Sequence, residues 1–359
     1  MADRATVSVY EQRAAEWRAE RVPKSTSAVE AFAALDRPAG VTADLGCGPG
    51  WHTAALPVPA LAIDAAKSML DMVPDHAPDA LRCRADLAAL PVATGSLAGA
   101  WASRSYVHLD RRHVPLALAD LHRALAPDSP VELHIFEGDD DFEPFSDDDF
   151  PGRRFSQWPQ SWITPLMEGA GFALDALERL DRPPKVATLI VKGRRARTLP
   201  DTVGPDMGLL ICGLNPSEYA ADAGVGFARP GNRFWPAALA AGLVNADRDP
   251  RRALIDHGVG MTDLVKRATP RADALTTEEY RHGLDRLEWL AGWLKPAAIC
   301  FVGLAGWRAA VDRKAQAGPQ TQELGGRPVY VMPSTSGAAA GYRLDDYVIH
   351  LRQAAALAT

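Results

Sequence analysis

Two short stretches of this sequence hold residues whose types and spacing could do chemistry. In "ICGLNPS", Ile211 to Ser217, an apolar run meets a turn, and Pro216 stiffens the chain just after Asn215. A carboxamide there cannot act as a base at neutral pH, but its one acceptor and two donors can orient a water molecule. That suits a reaction whose hard step is the departure of a stabilised leaving group. Nearby, "GVGFARPGNRFWP" sets Phe227 on a glycine-flanked loop where it could stack on a flat ring, and "VMPSTSGAAAG" ends in Ser334, Thr335, Ser336 and Gly337, suited to hold a phosphate. In the first half, "VTADLGCGPGW" places Gly46, Gly48 and Gly50 directly after a strand-like run. The next such run ends in Asp64, where a carboxylate could take both hydroxyls of a ribose, and a third segment, "CRADLAALP", places Asp86 to accept from an exocyclic amine.

These residues need frames to hold them. At 359 residues the chain is long for one core, and two domains are expected. In the first half, "VTADLG", "ALAID", "LAGAWAS" and "PVELHIF" read as strands alternating with the helical runs "AAKSMLDMV" and "VPLALADLHRAL", the pattern of a parallel sheet wrapped by helices. "ATLIVKG", 187–193, reads as one more strand. The stretch "RRARTLPDTVGPDM" then reads as a linker, so the boundary is placed near Arg195, giving domains 1–195 and 196–359. A second α/β pattern follows: "GLLICGLNP" as strand and turn, "RFWPAALAAGL" as helix, and "TTEEYRHGLDRLEWLAGWL" as a long amphipathic helix with Thr276 or Thr277 as cap. "AAICFVG" and "RPVYVMPSTSG" read as further strands. Both halves are thus of the α/β class.

Composition narrows the choices. Cys47, Cys83, Cys212 and Cys300 lack metal-ligand or disulfide spacing, which disfavours an iron–sulfur cluster or structural zinc. No apolar run is long enough to span a membrane and the N-terminus has no apolar signal core, so a cytoplasmic protein is expected. From Ala196 onward there are 18 lysines and arginines against 17 carboxylates; before it, 21 against 28. The second half permits a nucleic-acid role, whereas the acidic first half makes a poor DNA surface. Much of that acidity lies in "GDDDFEPFSDDDF", Gly138 to Phe150, expected to be a solvated loop.

The glycine motif, "IDAAKSML", "ADLAALP" and "GAWASRSYVHL" together resemble the class I S-adenosylmethionine-dependent methyltransferases over residues 5–193. The resemblance implies a Rossmann-like sheet binding S-adenosylmethionine. Asp44, Gly46, Gly48 and Gly50 would lie at the methionine part, Asp64 at the ribose, and Asp86 and Leu87 beside the adenine. A dinucleotide-binding dehydrogenase competes, but its phosphate loop prefers G-x-G-x-x-G where this chain has G-x-G-x-G. Tyr106 and His108 lie where a methyl acceptor would enter, or simply close the pocket wall. Neither an Asp/Asn-Pro-Pro-aromatic motif nor a Pro-Cys nucleophile occurs in this half, which argues against direct DNA methylation.

In the second half "TLPD", "GLNPS", "GFARPGNRFW", "GMTDLVKRATP", the long helix and "YVMPSTSG" occur in order. Together they resemble the mismatch-specific uracil/thymine-DNA glycosylases over residues 199–355, which implies an α/β/α sandwich acting on DNA without a cofactor. By that resemblance Asn215 positions the hydrolytic water and Phe227 stacks on the flipped base. Gly213, Leu214, Ser217 and Asn232 contact the substrate, and the loop from Ser334 through Thr335, Ser336 and Gly337 to Ala338 meets DNA beside the vacated base. Two departures stand out. The chain has Asn-Pro-Ser where the most active uracil enzymes have Asp-Pro-Tyr, and it has no His between Val331 and Gly341 to steady a departing base. Ala338 also stands where relatives carry a large wedge, so flipping must exploit a weak pair, such as G·U, or a single strand. Plainer readings stay open. Asn215 could merely stabilise a turn, Phe234 and Trp235 could be core, and His257 and His282 surface or core residues. Arg229, Arg233, Lys266 and Arg267 could meet phosphates. The rival functions are a small-molecule methyltransferase with a vestigial or base-binding glycosylase fold, and a non-catalytic DNA-binding module.

Overall fold

The computed structural model describes residues 3–21, 25–182, 185–337 and 341–358. The chain forms two compact units: Met1–Glu168 with Phe172–Ala196, and Gly169–Gly171 with Arg197–Thr359.

The first unit opens with helices α1 (Arg4–Gln12), α2 (Ala14–Glu20) and α3 (Ser27–Ala33). Its strands are β1 (Val41–Leu45), β2 (Ala60–Asp64), β3 (Leu81–Arg84), β4 (Leu97–Ser103), β5 (Pro130–Glu137), β6 (Gln157–Trp158), β7 (Phe172–Arg182) and β8 (Lys185–Arg195), interspersed with α4 (Lys67–Leu70), α5 (Val114–Ala124) and α6 (Gln160–Gly169). The sheet order is β3-β2-β1-β4-β5-β8-β7, with β6 beside β5; β8 alone runs antiparallel to both its neighbours. Strands β1 and β4 are buried nearly throughout because both faces of the sheet are covered, as in parallel sheets generally. The chain adds strands outward from β1 in one direction and then, from β4, in the other. Ligands bind at such a reversal, beyond the carboxyl ends of the strands.

Three local features differ from, or go beyond, what the sequence suggested. The stretch "AAKSMLDMV" holds only the short α4 and then a 3₁₀ turn at Val73–Asp75, because Pro74 lacks the N–H that would continue the α-helix. Strand β7, which pairs along most of β8, has mixed polarity as an edge strand and no alternation clear enough to be read. Third, the acidic stretch is not simply a solvated loop. Phe150 is buried, Phe145 stacks on Phe155 at 4.4 Å, and Asp148 pairs with Arg153.

In the second unit, α7 (Glu218–Ala223), α8 (Phe234–Ala241), α9 (Pro250–His257), α10 (Thr277–Leu294), α11 (Leu304–Ala310) and α12 (Leu344–Ala356) accompany strands β9 (Leu209–Gly213), β10 (Val259–Asp263), β11 (Ala298–Val302), β12 (Gly318–Pro319) and β13 (Val329–Met332). The order is β10-β9-β11-β13-β12, parallel except for β12. The reversal falls between β9 and β11, so the turn after β9 stands at the crevice. The four parallel strands are buried, and Phe234 and Trp235 of α8 and Tyr347 and Leu351 of α12 join their core. Thr276 caps α10 in a reciprocal box with Glu279. Thr276→Ala is expected to cost the second unit about 1 kcal/mol, read from a denaturant midpoint.

The stretch "RRARTLPDTVGPDM" is not a free linker. Arg194 and Arg195 end β8, while Leu199, Asp201, Thr202 and Val203 are buried within the second unit, and Thr202 bridges to Met261. The sequence shows no periodicity there because the segment is held by irregular hydrogen bonds and an ion cluster around Asp201, not by a helix or a full strand. Cys47, Cys212 and Cys300 are buried free thiols. Among the described residues no cluster of metal-ligating groups occurs, and no helix is long and apolar enough to cross a membrane.

Candidate functional sites

Within the first unit a cavity of about 360 Å³ opens at the carboxyl ends of β1, β2 and β4, a size usual for small-molecule sites. Gly46, Gly48, Asp44, Asp64 and Leu87 line it, with Ser103 and Ser105 from the end of β4. Gly46 and Gly50 are needed for space as well as for their positive φ. A Cβ on Gly46 would lie 2.2 Å from that of Ser105, and one on Gly50 would crowd Val73 at 3.1 Å. Gly48 also has positive φ, but no atom lies within 4 Å of where its Cβ would be.

The loop's amides are already spoken for. Gly46 and Cys47 donate to Ile63 O at 2.7 and 3.0 Å, Gly50 to Cys47 O at 3.1 Å, and Gly48 to Asp64 Oδ2 at 2.9 Å. Pro49 has no N–H, so a phosphate would find no free amide between 46 and 50. Two carboxylates face the same space. Asp64 takes one amide on each oxygen, from Gly48 and from Ala66 at 2.8 Å, which leaves a lone pair on each for a hydroxyl. Burial raises its pKa despite those bonds. Asp44, buried and accepting from Thr53 Oγ1 at 2.7 Å, is pushed by burial to about 7. At this end of the chamber Asp44 and Asp64 are acceptors without a free loop amide beside them, an arrangement better suited to hydroxyls than to a pyrophosphate. Asp86 lies apart from the others: it lines a neighbouring cleft with Asp3, Glu11 and Asp110, while the adjacent Leu87 faces the chamber.

The far wall of the chamber is aromatic. Tyr10, Trp17, His108, Phe136, Phe145 and Phe155 contribute, and Arg153 lies within 5.5 Å of the rings of Tyr10, Trp17, Phe150 and Phe155. His108 Nδ1 meets the Arg154 carbonyl at 2.8 Å and must carry the proton; Nε2 therefore accepts from Tyr10 O–H at 2.9 Å, and Arg153 Nη1 donates to that hydroxyl at 2.9 Å. Burial lowers the His108 pKa to about 4. With both nitrogens engaged and the ring neutral, His108 is wall and not base. Tyr106 is 2% exposed and does not line the chamber. Sequence reasoning missed Tyr10 and Arg153, since α1 and the residues just after the acidic stretch bear no motif.

In the second unit, Asn215 follows β9 on a turn whose main chain is zipped to the segment after β10. Leu264 and Val265 donate to Gly213 O and Leu214 O, both at 2.9 Å, and Thr269 donates to Pro216 O at 3.1 Å. The Asn215 amide nitrogen donates to Thr269 Oγ1 at 2.8 Å, Arg267 O at 3.0 Å and Pro216 O at 3.1 Å. Two of those partners are carbonyls, so nitrogen and oxygen cannot be exchanged. Among the described residues nothing donates to Oδ1, and Asn215 is half-buried. The carboxamide is thus anchored by its donors with its acceptor left over.

Phe227 adopts φ +58 and packs one face on Phe234, ring centroids 4.3 Å apart, leaving only the other face for a ligand ring. The same loop meets the end of β13. Arg233 N donates to Thr335 O at 2.9 Å, Arg233 Nη2 to Ser336 O at 3.2 Å, and a Cβ on Gly337 would sit 3.2 Å from Gly231 O. Tertiary structure therefore joins three motifs far apart in sequence. Individual expectations fare unevenly. Ser334, Ser336 and Gly337 are exposed, but Thr335 is 1% exposed; successive residues leaving a strand point to opposite sides, so its hydroxyl does not face solvent. Ser217 Oγ caps α7 by accepting from Ala220 N at 3.2 Å, and Asn232 Oδ1 accepts from Phe234 N at 2.9 Å, so both hold the loops in shape. Ala338 lies outside the described residues. Phe234 and Trp235 are core, and His257 and His282 are on the surface. Of the basic candidates, Lys266 is buried against Asp201 and cannot reach a phosphate, Arg267 pairs with Glu279, Arg233 braces the strand-end loop, and Arg229 is exposed.

Sequence reasoning overlooked one group altogether. Asp263, the last residue of β10, stands in register with Gly213. A Cβ on Gly213 would lie 2.2 Å from Asp263 Oδ1 and 3.5 Å from Phe227 Cζ. The only sequence signal was an acid at the end of a strand within "GMTDLVKRATP".

Residues 200–355 match the uracil DNA glycosylase superfamily, and residues 43–128 match a family described as a methyltransferase domain. Solved structures similar to this chain include the 1,6-didemethyltoxoflavin-N1-methyltransferase of Burkholderia thailandensis, 18% identical over 54% of this chain and 88% of that one, TM-score 0.43. Others are S-adenosylmethionine-dependent methyltransferases from Mesorhizobium loti (21%, 47% and 96%, TM-score 0.38) and Methanosarcina mazei (14%, 45% and 93%, TM-score 0.39). The chain carries a methyltransferase domain in its first half and a uracil DNA glycosylase superfamily domain in its second.

Proposed function

We propose that the second unit hydrolyses the N-glycosidic bond of an extruded pyrimidine in DNA, uracil opposite guanine foremost. Thymine or a damaged pyrimidine is the next candidate. The observation that carries this reading is the Asn215 carboxamide, fixed through its nitrogen by three acceptors with Oδ1 left to orient water. The sugar loses its base with cation character at C1′, and water held by Oδ1 captures it. The open face of Phe227 supports the departing ring. G·U wobbles cost less to open than Watson–Crick pairs, which suits a site without an evident wedge. The test is incision of a labelled G·U duplex after alkali treatment. An intact strand at every protein concentration, with G·C and A·U controls also intact, would leave only a base- or DNA-binding module.

The first unit is proposed to bind S-adenosylmethionine and pass its methyl group to a small acceptor. When bound, that group supplies an electrophilic methyl on sulfur. Asp64 would take the ribose hydroxyls, Gly48 leaves the space the ligand needs, and Asp44 and Asp64 suit its positive charge. The glycine-loop amides are consumed internally, which favours this reading over a dinucleotide dehydrogenase. Asp64→Ala is expected to weaken binding of S-adenosylmethionine roughly 10- to 150-fold in calorimetry, the loss of charged hydrogen bonds worth about 1.5–3 kcal/mol. Equal heats for wild type and variant would remove Asp64 from the site.

A further inference from the structure

Asp44, Asp64 and the glycine loop account for only part of the lining of the first unit's chamber. Much of the rest is a continuous run of rings. Between ring centroids, Trp17 on α2 lies 5.5 Å from Tyr10, Tyr10 5.5 Å from His108, and His108 4.9 Å from Phe155. Phe155 in turn lies 5.9 Å from Phe136, and Phe145 lies flat on Phe155, 7° from parallel, with its own ring half-buried. The run ends at Thr188 on β8. That residue is 1% exposed and lines the chamber, and nothing among the described residues bonds its Oγ1. It stands opposite Phe136 in the ladder between β5 and β8, so the two side chains share a face of the sheet.

A buried hydroxyl without a partner destabilises the fold, and a valine would fill the same space on a strand without that cost. A ligand atom that bonds Thr188 Oγ1 removes the cost. The surrounding charges limit what that ligand is. Arg153 is already paired with Asp148 and Arg21 with Asp149, while the exposed Asp147 lines the same chamber. An anion would therefore meet carboxylates and spoken-for guanidinium groups. A cation finds its place taken as well, because Arg153 already lies against the rings of Tyr10, Trp17, Phe150 and Phe155.

We propose that this aromatic end binds the methyl acceptor, and that the acceptor is a neutral, flat aromatic compound with an oxygen on its ring edge. The ring packs against Phe136, Phe145 and Phe155, and the oxygen is bonded by Thr188 Oγ1. A saturated ring of equal size would bury similar area but forgo the ring-to-ring contacts. This assignment rests on the methyltransferase reading of the first unit and names the acceptor class which that reading leaves open.

The experiment is calorimetry on the full chain. S-adenosylhomocysteine is titrated first and then, with it bound, 2-naphthol, naphthalene, 2-decalol and 2-naphthoate. 2-Naphthol is expected to bind roughly 10-fold more tightly than 2-decalol, which keeps the hydroxyl but loses the aromatic faces. The anionic 2-naphthoate should bind no better than 2-decalol. Thr188→Val keeps the shape and removes the hydroxyl, so 2-naphthol should weaken roughly 2- to 12-fold while naphthalene does not weaken. Thr188→Ser should retain the preference for 2-naphthol over naphthalene. If thermal unfolding shows that Thr188→Val does not fold, Phe145→Leu gives a second reading, the loss of preference for 2-naphthol over 2-decalol. 2-Decalol or 2-naphthoate binding wild type as tightly as 2-naphthol overturns the neutral aromatic acceptor. An unchanged ratio of 2-naphthol to naphthalene affinity in Thr188→Val overturns the role of Thr188. Bound S-adenosylhomocysteine with no heat from any ring compound overturns the acceptor assignment alone. No heat from S-adenosylhomocysteine overturns the methyltransferase reading and this assignment with it.

Discussion

Asn215→Ala should slow release of uracil from a G·U duplex by roughly 10²–10⁴-fold while leaving duplex affinity within a few-fold of wild type. The carboxamide's nitrogen already has three partners, so the side chain contributes little to holding DNA. What the alanine loses is the oxygen aimed at water, which matters only as C1′ becomes electron-poor. Asn215→Asp is the sharper control. Its carboxylate would face the Arg267 and Pro216 carbonyls that now accept hydrogen bonds, so it should pivot away and not rescue the rate. A rate for Asn215→Ala within threefold of wild type would remove this residue from the reaction.

The second large effect concerns stability. Asp201→Ala is expected to destabilise the second unit by about 3–5 kcal/mol, because it leaves the buried Lys266 and Arg286 without their shared counter-charge. Burial alone would raise the pKa of Asp201, but Arg286 and then Lys266 outweigh it and hold the acid below its ordinary value. A lowered carboxyl pKa means that the stabilisation is fully present above the unfolded value near 4 and is lost as pH falls through the folded one. Guanidinium titrations at pH 7 and pH 3 should therefore show a large gap between wild type and variant at pH 7 and a smaller one at pH 3. Equal gaps at both would mean that packing, not charge, is what Asp201 supplies.

The same cluster shows how two acids a few residues from common cations can part company. Asp201 takes every cation within reach and is held ionised, while Asp263, in the same neighbourhood, is left bare and pushed toward neutrality.

Much of both halves could be read from local pattern alone. Strands β4, β9, β11 and β13 are short apolar runs closed by glycine, serine or proline, and runs of about four to eight residues so bounded read as buried strands more readily than as helices. The glycine loop, Asp64 and Asn215 were visible because each needs a particular residue type at a fixed offset from a strand end, and a strand end is a local feature. What could not be seen depends on partners distant along the chain. Nothing near Lys266 announces that Asp201, 65 residues earlier, buries it as a structural cation. Nothing near Asp263 announces that the hydrogen bonds of Lys266 and Arg286 go to Asp201, so that burial prevails and raises the Asp263 pKa. Nor does the run of acids before Phe150 reveal that Arg153 and the aromatics of α1 and α2 draw it onto the cavity wall. Residue type and spacing determined which groups this protein can bring to a reaction. Only the tertiary fold decided which of them are neutralised and which stay available, because burial and pairing act through space and not along the sequence.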